Sequence, residues 1–377
     1  MGVVQTATIA EDLATTTGLH RRARHAGLIG LVAVVACCCL GMTSCGGRSE
    51  RTTATTAPST TPMSDDERGA PASTAPPTTT TPQCPPVSQQ LVAGEGRLTV
   101  AGVERPYLLA LPDGFDPAVP TPVILAFHGS GSNMTEQAAY SRLPTEGTAR
   151  GYVVVTPQGA GQPRGWDLAG GDDAAFVDLL LERLSEGMCV DQDRVDAAGI
   201  SNGSAFAALL ACREPYRIAA VGMVGATLAD RCPDGVTPAA IAFHGTADPA
   251  VPFEGGPVRA EGARGLGVGP AEPSIAGWAT HNGCSTEPAE ERVGDDVLAR
   301  TWTDCAGGDV AFYRIEGGGH TWPGPIDVAS FGITQLGATS STVDATALML
   351  DLFDRSSRTW DRSSAATTAA APTTTTG

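Results

Sequence analysis

No lysine occurs anywhere in the 377 residues; all 24 basic positions are arginine. That absence removes Schiff-base lysines, phosphate-loop lysines and lysine general bases from the available chemistry. Positive charge is scarce as well. With 41 acidic residues the formal net charge is −17, so nothing neutralises nucleic-acid phosphates and no such partner is expected. No two cysteines stand at C-x-x-C spacing, which argues against a zinc site. Internal repeats are missing too. Any reaction falls to Ser, His, Asp, Glu, Arg or main-chain groups, with no cofactor and no metal expected.

What is present begins with an export pattern. His20-Arg21-Arg22-Ala23-Arg24-His25 is a basic stretch, followed by an apolar run of 17 residues over 26–42. Met42-Thr43-Ser44-Cys45 closes it with small residues before a cysteine. Residues 1–45 read as a lipoprotein-type signal peptide, with Cys45 as the lipid attachment site. Val34-Val35-Ala36-Cys37 is a rival site, and cleavage without lipid or an uncleaved anchor are the alternatives. The expected location is the cell envelope, lipid-anchored to the outer face of the membrane, or the extracellular space. Residues 46–83 are Thr, Ser, Pro and Ala with almost no apolar bulk, the composition of a disordered tether. Residues 356–377 form a tail of similar character. Between them, 84–355 is a single folded unit, expected to be monomeric.

Setting aside Cys37, Cys38, Cys39 and Cys45, six cysteines remain, an even number in a chain bound for an oxidising compartment. Cys284 and Cys305 flank one short excursion and are expected to pair. Cys212 with Cys232, leaving Cys84 with Cys189, completes one connectivity, which sequence alone does not fix.

Apolar runs of strand and helix type alternate through the folded unit. "RLTV" and "RPYLLALP" read as an antiparallel pair turning at Ala101-Gly102. "PVILAFHG" (122–129) and "GYVVVTPQG" (151–159) are nearly continuous apolar runs, as for strands buried on both faces. "DDAAFVDLLLERLSEG" carries an apolar helical stripe through Ala175, Phe176, Leu179, Leu180 and Leu184. "RVDAAGI", "IAAVGMVGA", "PAAIAFHGTAD" and "VAFYRIEGGG" are further strands, and "AFAALLAC" and "TALMLDLFDR" are helices. This alternation calls for a mostly parallel sheet with helices on both faces, an α/β fold.

Four signals fall at strand ends, where such sheets place their ligands. Gly199-Ile200-Ser201-Asn202-Gly203 lies between a strand and a helix. A serine raised on that bend needs small neighbours two residues away on each side, and its helix N-terminus aims N–H groups at a developing oxyanion. Phe127-His128-Gly129-Ser130-Gly131 closes an earlier strand and supplies a second oxyanion donor from Ser130 or Gly131, beside Asn202; His128 reads as structural. Asp248 follows a later strand, and His320 stands in the glycine loop after the last one. Ser201, Asp248 and His320 thus occur in the order of a nucleophile, acid and base. Trp166 and Trp322 either line the cleft, stacking an aromatic acyl group or a sugar, or pack beneath loops.

"GISNGSAFAALLAC", "FHGTADPAVPFEGG", "WATHNGC", "IEGGGHTWPG", "FHGSGSN" and "DDAAFVDLLLERL" resemble the secreted polyhydroxybutyrate depolymerase and feruloyl-esterase group, carbohydrate esterase family 1 type. The resemblance spans about 98–354. It implies an α/β-hydrolase fold, a carboxylic ester substrate and the same three catalytic residues. It departs at Ser204, where a second glycine is usual, and at Asp167 in "GWDLAGGDD", where asparagine is frequent. Polymer-degrading members often append a separate binding domain, whereas only a tail is expected after this catalytic unit, so an insoluble polyester is the less expected substrate. The rivals are a non-catalytic envelope binding protein on the same fold, and a peptidase or lactone hydrolase.

Overall fold

The computed structural model describes residues 84, 86–169, 171–213, 218–227, 232–260, 266–285, 287–331 and 333–357. The expected leader, Cys45, the tether and the tail beyond Ser357 lie outside them.

The described chain builds a 10-stranded sheet in the order β1-β2-β4-β3-β5-β6-β7-β12-β11-β10, with β8 (Gly256–Pro257) and β9 (Gly267–Val268) paired separately. β3 (Thr121–Phe127), β4 (Val153–Pro157), β5 (Val190–Ile200), β6 (Ile218–Val224), β7 (Ala239–Gly245) and β12 (Val310–Ile315) run parallel. β1 (Gly94–Val100) and β2 (Val103–Ala110) add an antiparallel pair at one edge; β10 (Ala289–Val293) and β11 (Val297–Trp302) add another beyond β12. This strand order, with helices on both faces, is the α/β-hydrolase fold.

Every residue of β3, β4, β6 and β7 is buried. The period of two divides them between faces. Val123, Leu125 and Phe127 pack with Phe176 and Leu180 of α3 (Gly171–Gly187) and Phe206 of α4 (Asn202–Ala211). Ile124 and Ala126 face the opposite layer, with Leu143 of α2 (Leu143–Ala149) and Met349, Leu350 and Phe353 of α6 (Ala345–Arg355). α1 (Met134–Ser141) precedes α2, and α5 (Ala271–His281) places Ile275 and Trp278 in the first layer. Disulfides join Cys84 to Cys189, Cys212 to Cys232 and Cys284 to Cys305. Among the described residues no helix is long and apolar enough to cross a membrane.

From β3 the chain moves outward to β4, then returns to β5 on β3's other side. The carboxyl ends of β3 and β5 therefore flank a point where the winding direction reverses, the crevice in which open α/β sheets bind ligands.

One buried group in this frame sets a pH dependence. Asp196 on β5 is fully buried, with no side-chain hydrogen bond to either carboxylate oxygen among the described residues and only the Ala220 main chain opposing it as a donor. Burial drives its pKa well above the ordinary carboxylate value, against the opposing pull of Arg194. Because the folded value is the raised one, the native state favours the neutral acid. Stability is fully retained below the unfolded pKa of about 4 and declines as pH rises from there through the folded value. Asp196→Asn, which mimics the neutral acid, is expected to raise Tm at pH 8 and leave it nearly unchanged at pH 4. Equal shifts at both pH values in thermal melts would refute this.

Candidate active site

β5 ends in Ile200 and α4 begins at Asn202, so the whole reversal is made at Ser201. Its backbone has φ 58° and ψ −124°, a left-handed setting that costs a residue with a Cβ about 1–3 kcal/mol. Two glycines permit it. A Cβ at Gly199 would overlap the main chain of Gly203, and one at Gly203 would overlap the carbonyls of Phe127 and His128. Ser201 N–H donates to Val224 O at 2.8 Å, and its side chain does not cap the helix. Ser204, where a glycine is common in the resembling group, donates its hydroxyl to Ala226 O at 2.6 Å and ties the elbow to the loop after β6.

Asp248 lies in the turn after β7. Its Oδ1 accepts N–H bonds from Ala250 and Val251, each 2.8 Å, and its Oδ2 accepts from His320 Nδ1 at 2.7 Å. Burial alone would raise this carboxyl's pKa. Hydrogen bonds and charge from His244 and His320 outweigh that and hold it well below the carboxylate range, so it is ionised. His320 is delivered by a loop whose main chain is clamped on both sides. Gly319 N–H donates to Ala338 O at 2.8 Å and His320 N–H to Leu336 O at 2.6 Å. A Cβ at Gly245 would overlap the Gly318 carbonyl, which is why these two loops can lie together.

Gly225 connects the halves of the site. A Cβ there would stand 2.8 Å from His320 Nδ1 and 2.9 Å from Cε1, so the imidazole lies flush against this residue. The preceding carbonyl, Val224 O, accepts the Ser201 N–H. Serine elbow and imidazole thus rest on the same two residues, and Asp248 Oδ2, 3.6 Å from the same Cβ position, is bonded to the imidazole's Nδ1.

The expected oxyanion donors fare differently. Asn202 heads α4, and a helix leaves its first N–H without an internal acceptor. Ser130 lines the cleft beside it. Gly131 is corrected: its N–H donates to Arg164 O at 2.7 Å and is not directed at the serine. The Asn202 side chain has a role with no local signal in the sequence. Its Oδ1 accepts from Trp166 N–H at 2.6 Å and its Nδ2 donates to Trp166 O at 3.0 Å, pinning the loop after β4 to the elbow.

Both tryptophans are mostly structural. Trp322 is 1% exposed, donates Nε1–H to Thr346 Oγ1 at 3.0 Å and packs beside Tyr140, so it does not line the cleft. Trp166 reaches the cleft wall, but its indole stacks on Phe206 with ring centroids 5.1 Å apart and donates to His128 O at 2.8 Å. His128 is a loop brace: Nδ1–H meets Gly129 O at 2.8 Å and Nε2 accepts Gly159 N–H at 2.9 Å. Burial lowers its pKa, in keeping with a neutral ring.

A cleft of about 710 Å³, in the size range of small-molecule sites, opens beside the elbow. Ser130, Asn202 and Trp166 form one wall. The buried pair Arg105–Asp173, 2.6 Å apart, lies at another, and Val103 and Leu266 stand exposed at the rim. Leu266 comes from the 255–273 excursion and Ala160 to Ala169 from the loop after β4.

Fold and strand-end geometry define an α/β hydrolase. Residues 106–249 match the family described as Esterase PHB depolymerase. NocK of Nocardia uniformis subsp. tsuyamanensis, named as an esterase, is 30% identical over 278 residues, covering 66% of this chain and 80% of that protein. Feruloyl esterase C of Emericella nidulans is 29% identical over 221 residues, 57% of this chain and 76% of that one. Among solved structures, an acetyl xylan esterase from Aspergillus awamori aligns at TM-score 0.46 and 14% identity, over 61% of this chain and 94% of that chain. The chain belongs to the esterase PHB depolymerase family and is a carboxylic ester hydrolase.

Proposed function

We propose that the protein is an exported serine esterase working through an acyl-enzyme, with Ser201 as nucleophile, His320 as base and Asp248 as acid. The observation that carries this reading is the 2.7 Å bond from His320 Nδ1 to Asp248 Oδ2, on an imidazole lying against Gly225 beside the serine elbow. With Nδ1 protonated and held, Nε2 is the basic nitrogen. It takes the Ser201 proton as Oγ attacks the ester carbonyl carbon. N–H groups of Asn202 and Ser130 hold the oxyanion, each worth about 3 kcal/mol in comparable sites. The tetrahedral species collapses, the C–O bond breaks, and the alcohol leaves with the proton from His320. Water then attacks the acyl-enzyme with His320 again as base, releasing the carboxylic acid and restoring Ser201.

The ester partners in this reading are small-molecule esters, hydroxybutyrate-type oligoesters, or feruloyl or acetyl esters of polysaccharide. Val103 and Leu266 at the rim offer apolar surface, and the inner walls offer polar groups. Three disulfides support an exported location. The lipid anchor at Cys45, the tether over 46–83 and the catalytic domain over 84–355 complete the arrangement.

A fluorophosphonate probe is expected to label Ser201 stoichiometrically, as read by peptide mass spectrometry. On an ester panel of feruloyl, acetyl-sugar and hydroxybutyrate substrates, kcat/KM should rise with pH along a single-group limb as the base loses its proton. Matching amides should react far more slowly. An unlabelled Ser201 in folded protein would favour a binding protein on a hydrolase fold, and amide turnover at the ester rate would favour a peptidase.

A further inference from the structure

We infer that His244 is a positioning residue for the reaction, a second imidazole that holds Asp248 in aim from the side opposite His320. This rests on the triad reading above. His244 is the last residue but one of β7, in a strand otherwise made of Ala, Ile, Phe and Gly. It is 3% exposed, and no step of the ester-cleaving chemistry uses it.

Its hydrogen bonds define its tautomer. Nε2 lies 3.0 Å from Val251 O, which can only accept, so Nε2 carries a proton. The same nitrogen is 3.4 Å from Asp248 Oδ2, the oxygen that His320 also meets. Nδ1 stands 3.4 Å from Thr227 Oγ1, whose hydroxyl donates to it. One N–H is therefore bonded to the carbonyl of Val251 and lies within 3.4 Å of the triad carboxylate. That residue's own N–H donates to Asp248 Oδ1 at 2.8 Å. The turn 248–251 is thus stitched by His244 at its carboxylate and at its end.

The donor set explains why a histidine sits here rather than an apolar residue. Asp248 receives two main-chain N–H bonds on Oδ1 and the His320 N–H on Oδ2, with the His244 N–H 3.4 Å from that same oxygen. Removing the His244 N–H loosens the carboxylate and leaves Val251 O without that donor. It also concentrates the negative charge on the remaining imidazole. A carboxylate that shares its charge less stabilises the protonated base more, so the pH at which His320 becomes competent moves up. The other charged groups on this side are Arg314, Glu272 and Glu316. Arg314 pairs in register with His244 but lies over the Phe253 ring at 5.4 Å, where it is neutralised by Glu272 and Glu316. Phe253 stands edge-on to His244 at 5.6 Å and separates it from that cluster. The ionisable groups in direct reach of His244 are then Asp248 and, through it, His320.

The test compares His244→Phe, which keeps a ring and removes the donor, with His244→Gln, whose side-chain N–H reaches the Nε2 position. Full-length protein carrying each change is assayed on a short chromogenic ester across pH, with Tm and probe labelling recorded. His244→Phe is expected to lower kcat about tenfold with KM unchanged, and to move the rising limb up by about half a pH unit. His244→Gln should restore both most of the way. A limb unmoved in folded His244→Phe, or one moved equally in His244→Gln, would overturn the assignment. If Ser201→Ala remained active, the triad reading itself would fall, and this role with it. A dead Ser201→Ala alongside an unchanged His244→Phe would remove only the role of His244.

Discussion

Ser201→Ala is expected to lower kcat by about 10⁶-fold on a short-chain chromogenic ester while KM changes little, because the groups that bind the ester remain. The residual rate should still exceed the uncatalysed one, since the proposed oxyanion donors, Asn202 N–H and the Ser130 loop, persist. The fold should tolerate the change. The Ser201 hydroxyl does not cap α4, and the anchoring bond to Val224 O comes from the main chain. Alanine also has a Cβ, so it inherits the φ 58° conformation with the strain the serine already carries. Equal melting temperatures with turnover abolished would assign the hydroxyl to chemistry. A folded variant within about tenfold of wild-type kcat would refute the nucleophile outright.

The elbow was legible because its requirement is steric and local. Gly199 and Gly203 are needed where their Cβ atoms would meet backbone a few residues away or at the end of β3, and the G-x-S-x-G spacing encodes that. The parallel strands were legible for a similar reason: strands covered on both faces read as unbroken apolar runs, and β3, β4, β6 and β7 are such runs. The β10–β11 hairpin was not. Ala289–Val293 reads AEERV and is largely exposed, so its strand character comes from pairing with β11 rather than from a buried pattern. Helices α1 and α2 were hidden by Arg142 at φ 55°, which breaks the periodicity between them, and by Gly147 inside the second.

Site residues divide along the same line. The Asp248–His320 pair follows from chain order at strand ends, because the topology brings consecutive strand ends to one rim. Gly131 departs from the expected oxyanion role and Trp322 takes the packing alternative, because sequence gives proximity to a motif but not the direction a group points. Gly131 turns its N–H to Arg164, and Trp322, two residues from His320, points into the core towards Thr346. The Asn202 clasp on Trp166 spans 36 residues and leaves no trace in either local pattern. His244 did leave one: an ionisable side chain in a strand that is otherwise wholly apolar.

Asp248→Asn is the second large effect, expected at about 10⁴-fold in kcat/KM, and hydrogen-bond polarity gives the reason. Oδ1 of Asp248 accepts two main-chain N–H bonds, so the amide of an asparagine must turn its carbonyl to that side. Its NH₂ then occupies the Oδ2 position, 2.7 Å from His320 Nδ1. Two donors cannot face each other. His320 must therefore release the Nδ1 proton and carry it on Nε2, the nitrogen that should accept from Ser201. The same NH₂ also opposes the protonated Nε2 of His244, 3.4 Å away, so the variant should lose stability at neutral pH as well as rate. Acid behaviour provides an independent check. The folded pKa of Asp248 lies below its unfolded value, so its contribution is present above about pH 4 and is lost as pH falls toward the folded value. Wild-type Tm should therefore drop across that acid range by more than the Tm of Asp248→Asn does. Parallel acid titrations of Tm for the two proteins, or kcat/KM for the variant within about tenfold of wild type, would dismiss Asp248 as the group that fixes the imidazole.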